Sequence, residues 1–239
     1  SPLAEAPSSS AHRVWLRTAD GEGRYARLEF APGAATAVTR ARVVPLELAV
    51  APSRYMTELA RKAPRGRYPR HVLGEQAYWA AISADGDEHK ALLGEDGAIE
   101  IDVERFSIEP FLQIDGRTFS WADVESSVSL ADGYLPIPSV EWQTADVRLR
   151  VTAFASGHAG RSTLVARYEI ENLRDRALQA RLLLALRPFQ VNPAWQSLNL
   201  VGGTAPIFTI RREGNTIWVN DAHEVIPLMA PDAFSARSF

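Results

Sequence analysis

The sequence predicts an all-β protein, a large antiparallel β-sandwich with one short helical and basic linker near residues 53–73. Turn signals provide the first observation. Asp-Gly recurs at 85–86, 96–97, 115–116 and 132–133, with Gly214-Asn215 as a fifth; such dipeptides accept the positive φ that tight hairpins demand. The second is period-two alternation of apolar and polar residues between those turns. The third is that no stretch beyond residue 74 has convincing helical periodicity, which favours stacked antiparallel sheets.

The opening SPLAEAPSSSA is small, Ser- and Pro-rich, and reads as a disordered tail over residues 1–11. Residues 12–52 read as a β segment. In YARLEF, Ala26, Leu28 and Phe30 form the apolar side; in RVVPLELAVAP, Val44, Leu46, Leu48 and Val50 do, and Pro45 suggests an edge position. SRYMTELARKA predicts about three turns of helix from Ser53. PRGRYPRHV follows, with two prolines, a glycine and three arginines. It reads as a solvated linker closing residues 53–73, because its aromatics do not interleave as a base-stacking platform would.

Residues 74–239 then form the sandwich. AYWAAIS, AIEIDV, FSIEPFLQI, RTFSW and VESSVSL are strands between the turns. DVRLRVTAFAS puts Val147, Leu149, Val151 and Ala153 on one face and Arg148, Arg150 and Thr152 on the other. STLVARYEIEN repeats the device with Leu164, Ala166, Tyr168 and Ile170. ALQARLLLALRPF is rich in helix formers, but it lies in a series of strands and ends at a proline, so strand is predicted.

Composition excludes several function classes. At 46% hydrophobic and 23% charged, the chain can bury a sizeable core. A net charge of −3 with scattered Lys and Arg argues against nucleic acid as a partner. No apolar run approaches the ~20 residues of a membrane span. The chain has no cysteine, which removes disulfides, thiolate catalysis and Cys-ligated zinc and leaves the compartment unresolved. Phosphate-binding and nucleophile-elbow motifs do not occur, so no cofactor is expected. The five histidines (His12, His71, His89, His158 and His223) are not paired at ligand spacing, so no metal site is expected. ADGDEH lacks the twelve-residue calcium pattern and reads as a solvated hairpin.

Carboxylates at Glu100, Asp102, Glu104, Glu109, Asp123, Glu125, Asp132 and Glu141 mostly occupy alternate positions, as outward residues of amphipathic strands do. A glycosidase needs two of them across a cleft, which spacing along strands does not show. Glu141, flanked by Val140 and Trp142, is the one to watch. Trp121, Tyr134, Trp142, Phe189 and Trp195 lie in or beside loops rich in Pro, Asn and Gln. Flat rings beside amides suit either a sugar surface or the closure of a core. LRPFQVNPAWQ (186–196) concentrates them. Its prolines fix a path that presents Phe189, Gln190, Asn192, Trp195 and Gln196, as a domain seam or a sugar subsite requires.

Together GDEHKALLGEDGAIEID, FSIEPFLQIDGRTFSWADV, SLADGYLPIPSVEW, VRLRVTAFASG and LVARYEIENLRDRALQARLLLALRPFQVNP resemble the N-terminal β-domain of bacterial six-hairpin glycosidase-like and glycoside-phosphorylase-like proteins. In that family the domain is a supersandwich similar to the galactose-mutarotase fold. A strand ending in Asn turns through a polar bend and returns as the next strand, and the catalytic carboxylates belong to a following (α/α)6 helical domain. Residues 12–50 resemble, through RYARLEF, the last strands of a discoidin-type carbohydrate-binding domain.

The resemblance implies a non-catalytic module that supports a helical catalytic domain of the same parent protein, with carbohydrate as a further contact. No helical barrel follows PDAFSARSF in this sequence, so the expected chain lacks the family's acids. The alternatives are an autonomous epimerase- or lyase-type enzyme using Glu141, and a free-standing carbohydrate-binding module. The expected contact residues are Phe189, Gln190, Asn192, Trp195, Gln196, Tyr134, Glu141 and Trp142, toward either substrate or the neighbouring domain.

Overall fold

The computed structural model describes residues 52–196 and 202–237, and the protein it shows is mostly β with antiparallel pairing throughout the described strands. The calls on residues 1–51, the tail and the early β segment, lie outside the described residues. Two compact units divide the described residues, one within Met56–Pro206 and a smaller one that includes the segment from Ile207 onward.

The short helix falls where the sequence puts it. Helix α1 spans Pro52–Arg61, opening on a proline whose missing N–H costs nothing in a first turn. Met56 and Ala60, four residues apart and therefore on one face, are both buried. Arg61 lies in the last turn and pairs with Glu58 at 2.7 Å.

The larger unit contains two sheets. The first runs β1 (Trp79–Ile82), β2 (Ala91–Gly94), β3 (Ile99–Glu100), β4 (Ser107–Ile114) and β10 (Ala180–Arg187), with β5 (Arg117–Phe119) also on β4. The second runs β6 (Glu125–Ala131), β7 (Leu135–Gln143), β8 (Val147–Ser156) and β9 (Thr163–Asn172). The turn dipeptides do what their chemistry predicts. Asp115 and Gly116 both have positive φ and make the two-residue β4–β5 connection, while Asp132 and Gly133 do the same in the β6–β7 loop. A β-branched residue at any of these four would be strained.

Both sheets contribute one face to a common core. Leu93, Ile99, Leu112 and Ile114 come from the first, and Val140, Trp142, Val147, Leu149, Val151 and Ala153 from the second. The predicted inner face of β8 is therefore buried throughout. Segment 180–187 is a strand, as its position between strands and a proline predicts. It does not return beside β9, however. It crosses to the first sheet and pairs along the whole of β4, from Ala180↔Ile114 to Arg187↔Ser107. The polar bend is built by Asn172, whose side chain accepts from Arg174 N and donates to Arg176 O.

In the smaller unit, β11 (Ile210–Glu213), β12 (Thr216–Val219) and β13 (His223–Val225) form a three-stranded sheet. Gly214-Asn215 is its two-residue β11–β12 turn. Ile217 and Val219 are buried on β12.

Candidate functional site

Eight of the sequence's expected contact residues can now be placed. Phe189, Gln190, Asn192 and Trp142 are interior side chains, the first fully buried. Trp195 is 52% and Tyr134 75% exposed. Gln196 is half-buried and accepts a hydrogen bond from Trp79 Nε1 at 3.3 Å. Glu141 lies on the outer face of β7, held by Arg150 at 2.8 Å and Arg148 at 3.2 Å. The structure brings Phe189, Gln190, Asn192, Trp195 and Gln196 together in one loop, while Glu141 and Trp142 lie on β7 and Tyr134 in the β6–β7 turn.

The loop is built on the face of the first sheet that points away from the common core. Strand alternation sends Ser107 and Glu109 to that face of β4, with Arg187 opposite Ser107 on β10. Glu109 takes Arg187 Nη1 at 2.7 Å and Ser107 Oγ at 2.9 Å. Both ionic partners are almost fully buried, a pairing expensive to form and more expensive to break. Burial pushes the Glu109 carboxyl up, with Arg187 opposing that shift.

Arg187 then stacks over Phe189 and Tyr68, with ring centroids 4.7 and 5.3 Å from the guanidinium carbon. One residue further, the chain is pinned by Glu100. Its carboxylate accepts from Val191 N at 2.8 Å, Asn192 N at 2.9 Å and Gln190 Nε2 at 3.0 Å. Burial raises the Glu100 carboxyl, and these donors oppose it. Beside it, the carbonyl of Gln190 lies 2.7 Å from His71 Nε2. A carbonyl only accepts, so the neutral ring carries its proton on Nε2. Burial drops His71 to about 4.

Glu100 and Glu109 are thus not the solvated outward residues their alternation predicts. The correction has one cause: the loop after β10 and the segment before β1 cover this second face, so the polar positions of β3 and β4 point into protein. The same cover changes the reading of PRGRYPRHV. It is packed, not a solvated linker: Val72 and His71 are buried, Arg65 and Arg70 both stack on Trp121, and Trp121 Nε1 donates to Tyr68 O at 3.0 Å. Arg65 pairs with Glu75 and Arg70 with Glu95, so its charge is largely neutralised locally. Gly66 sits so close to Ser120 that a side chain there would overlap the Ser120 hydroxyl.

Between these groups lies a cavity of about 10 Å³, bordered by His71, Asp96, Ser107, Gln190 and Tyr78. That is room for about one water and too little for a sugar ring. A ligand would have to use the surface above. There the turn Pro193–Gln196, closed by Gln196 N to Pro193 O at 3.0 Å, displays Trp195. Its ring meets His71 edge-on at 6.4 Å. Tyr78, at the cavity rim, is 66% exposed.

Side-chain hydrogen bonds organise the ADGDEH hairpin. His89 Nδ1 meets Asp102 Oδ2 at 2.7 Å, which raises the imidazole pKa, and His89 N donates to Asp87. Among the described residues no group of three or more His, Asp or Glu side chains is placed to hold a metal ion. Nor, among them, is any helix long and apolar enough to cross a membrane.

Sequence reasoning missed His71, Arg187, Ser107 and Asp96 as members of this cluster. Arg187 and His71 meet their hydrogen-bond partners 78 and 119 residues away in the chain, and period-two patterning carries no sign of a second covering layer. No protein-family model, curated protein or solved structure matches the chain.

Proposed function

We propose that this chain is a non-catalytic β-supersandwich module of a larger carbohydrate-active protein, of glycoside-hydrolase or glycoside-phosphorylase type, and that it docks a helical catalytic domain through the loop at 188–196. The observation that carries this reading is Trp195. A large ring is held half-exposed on a loop whose backbone is fixed from beneath by Glu100. A fixed loop loses little freedom when something docks on it, and aromatic anchors dominate such contacts.

The chemistry of the acids supports the non-catalytic part. Glu100 is consumed by three donors, Glu109 by Arg187 and Ser107, and Glu141 by two arginines. A general acid or nucleophile needs a carboxyl that can reach substrate. This weakens the reading as an autonomous epimerase or lyase. The free-standing sugar-binding module keeps one support, the exposed rings of Tyr78 and Trp195.

The native reading frame and the mass of the polypeptide in its source cells test the proposal. We expect several hundred further residues with strong helical periodicity after Phe239. A stop codon there, with a native mass of 26.3 kDa, would overturn it.

A further inference from the structure

Among the described residues, the second sheet ends on an edge with no partner strand. Strand β6 has β7 on one side and no described strand on the other, and Glu125 through Leu130 are all exposed. Cross-strand partners share a face. Val128 lies opposite Val140, Leu130 opposite Pro138 and Ser126 opposite Trp142, all three partners buried. Val128 and Leu130 therefore belong to the core face of the sheet, yet are 58% and 42% exposed. The common core is open along β6.

Edges are normally blunted by Lys, by Pro or by a bulge within the strand. Strand β6, ESSVSLA, contains neither Lys nor Pro, and its irregularity is confined to its last step, between Leu130 and Ala131. The opposite edge of the sheet differs. There β9 carries Arg167, Glu169 and Glu171. In the first sheet, edge strand β10 carries Arg181 and Arg187, and β1 is only four residues long.

We propose that β6 is a self-association surface whose occupant is β6 of a second copy of this chain, joined antiparallel about Val128. The register explains the choice of occupant. Pairing about Val128 sets Val128 against its own counterpart, Ser127 against Ser129 and Ser126 against Leu130. The one charged residue, Glu125, then faces Ala131, so no like charges meet. The product is a continuous eight-stranded sheet, β9-β8-β7-β6 followed by its mirror order, closed by a twofold axis. Each copy then covers the open margin of the other's core.

The experiment is sedimentation equilibrium of the 239-residue chain across the micromolar range, with Val128→Lys, Val128→Glu and Ile170→Lys. The wild type is expected to reach twice its 26.3 kDa mass. Because residue 128 meets itself at the axis, each charged variant alone should dissociate at a several-fold higher concentration or stay monomeric. An equimolar mixture of the Lys and Glu variants should restore the dimer. Ile170→Lys, on the β9 edge, should leave it unchanged. Circular dichroism confirms that all variants are folded. A wild type that stays monomeric, an association insensitive to Val128→Lys, or loss of the dimer in Ile170→Lys would each overturn the proposal.

Discussion

Replacing Glu100 by Ala removes the group that fixes the loop carrying Trp195. In the folded chain its carboxylate takes the backbone N–H groups of Val191 and Asn192 and the side-chain amide of Gln190, all within 3.0 Å. Val191 and Asn192 are buried, so two main-chain donors lose their acceptor. Each such orphan costs about 1–3 kcal/mol, and water entering the vacated space recovers part of that. We expect Glu100→Ala to cost about 3–4 kcal/mol, on that scale. Glu100→Gln should cost less, near ~1 kcal/mol, because an amide oxygen can still accept from both backbone groups while Gln190 turns its own amide over. Urea unfolding followed by far-UV circular dichroism gives the stabilities. Hydrogen exchange at the amides of 191 and 192 reports the loop itself. A loss below ~1 kcal/mol for Ala, the range of an ordinary surface change, or unchanged exchange at those amides would refute the reasoning.

Three further outcomes follow from the same geometry. Trp195→Ala should cost this chain less than ~1 kcal/mol, while Phe189→Ala, at a fully buried site, should cost about 3–5 kcal/mol in the same urea titration. His71 is neutral and buried with its pKa lowered to about 4, so the unfolded chain binds the proton first. Stability from this residue is complete above about pH 6.5 and falls as pH drops toward 4, by roughly 3 kcal/mol in all; a His71→Gln variant should flatten that limb of the pH–stability curve. The chain alone should turn over neither an aryl-glycoside nor a disaccharide with phosphate, and turnover abolished by Glu141→Gln would place the chemistry here after all.

Much of the fold is written locally. The Asp-Gly turns and the inner face of β8 were legible because a hairpin needs particular backbone angles and a half-buried strand needs alternation. The helix at Pro52–Arg61 was legible from its start near Ser53, and in the structure its buried Met56 and Ala60 sit one turn apart. The candidate site was not. Glu100 and Glu109 obey the alternation that marks a solvated face, and only a loop arriving from far along the chain turns that face into an interior. The crossing of β10 to β4 was hidden for a related reason, since eight apolar-rich residues fit either sheet equally well by pattern. LRPFQVNPAWQ was expected to present its rings and amides together, and of these Trp195 is half-exposed. Its other half proved to be inner packing, where Phe189, Gln190 and Asn192 hold the loop in place.

The central claim is that Trp195 marks the seam with a helical domain. Its most direct measurement is hydroxyl-radical footprinting of Trp195 in this chain alone and in the chain joined to the polypeptide encoded after Phe239. The account predicts ready modification in the first and strong protection in the second, with Tyr134 modified equally in both. Equal modification of Trp195 in the two contexts would contradict it.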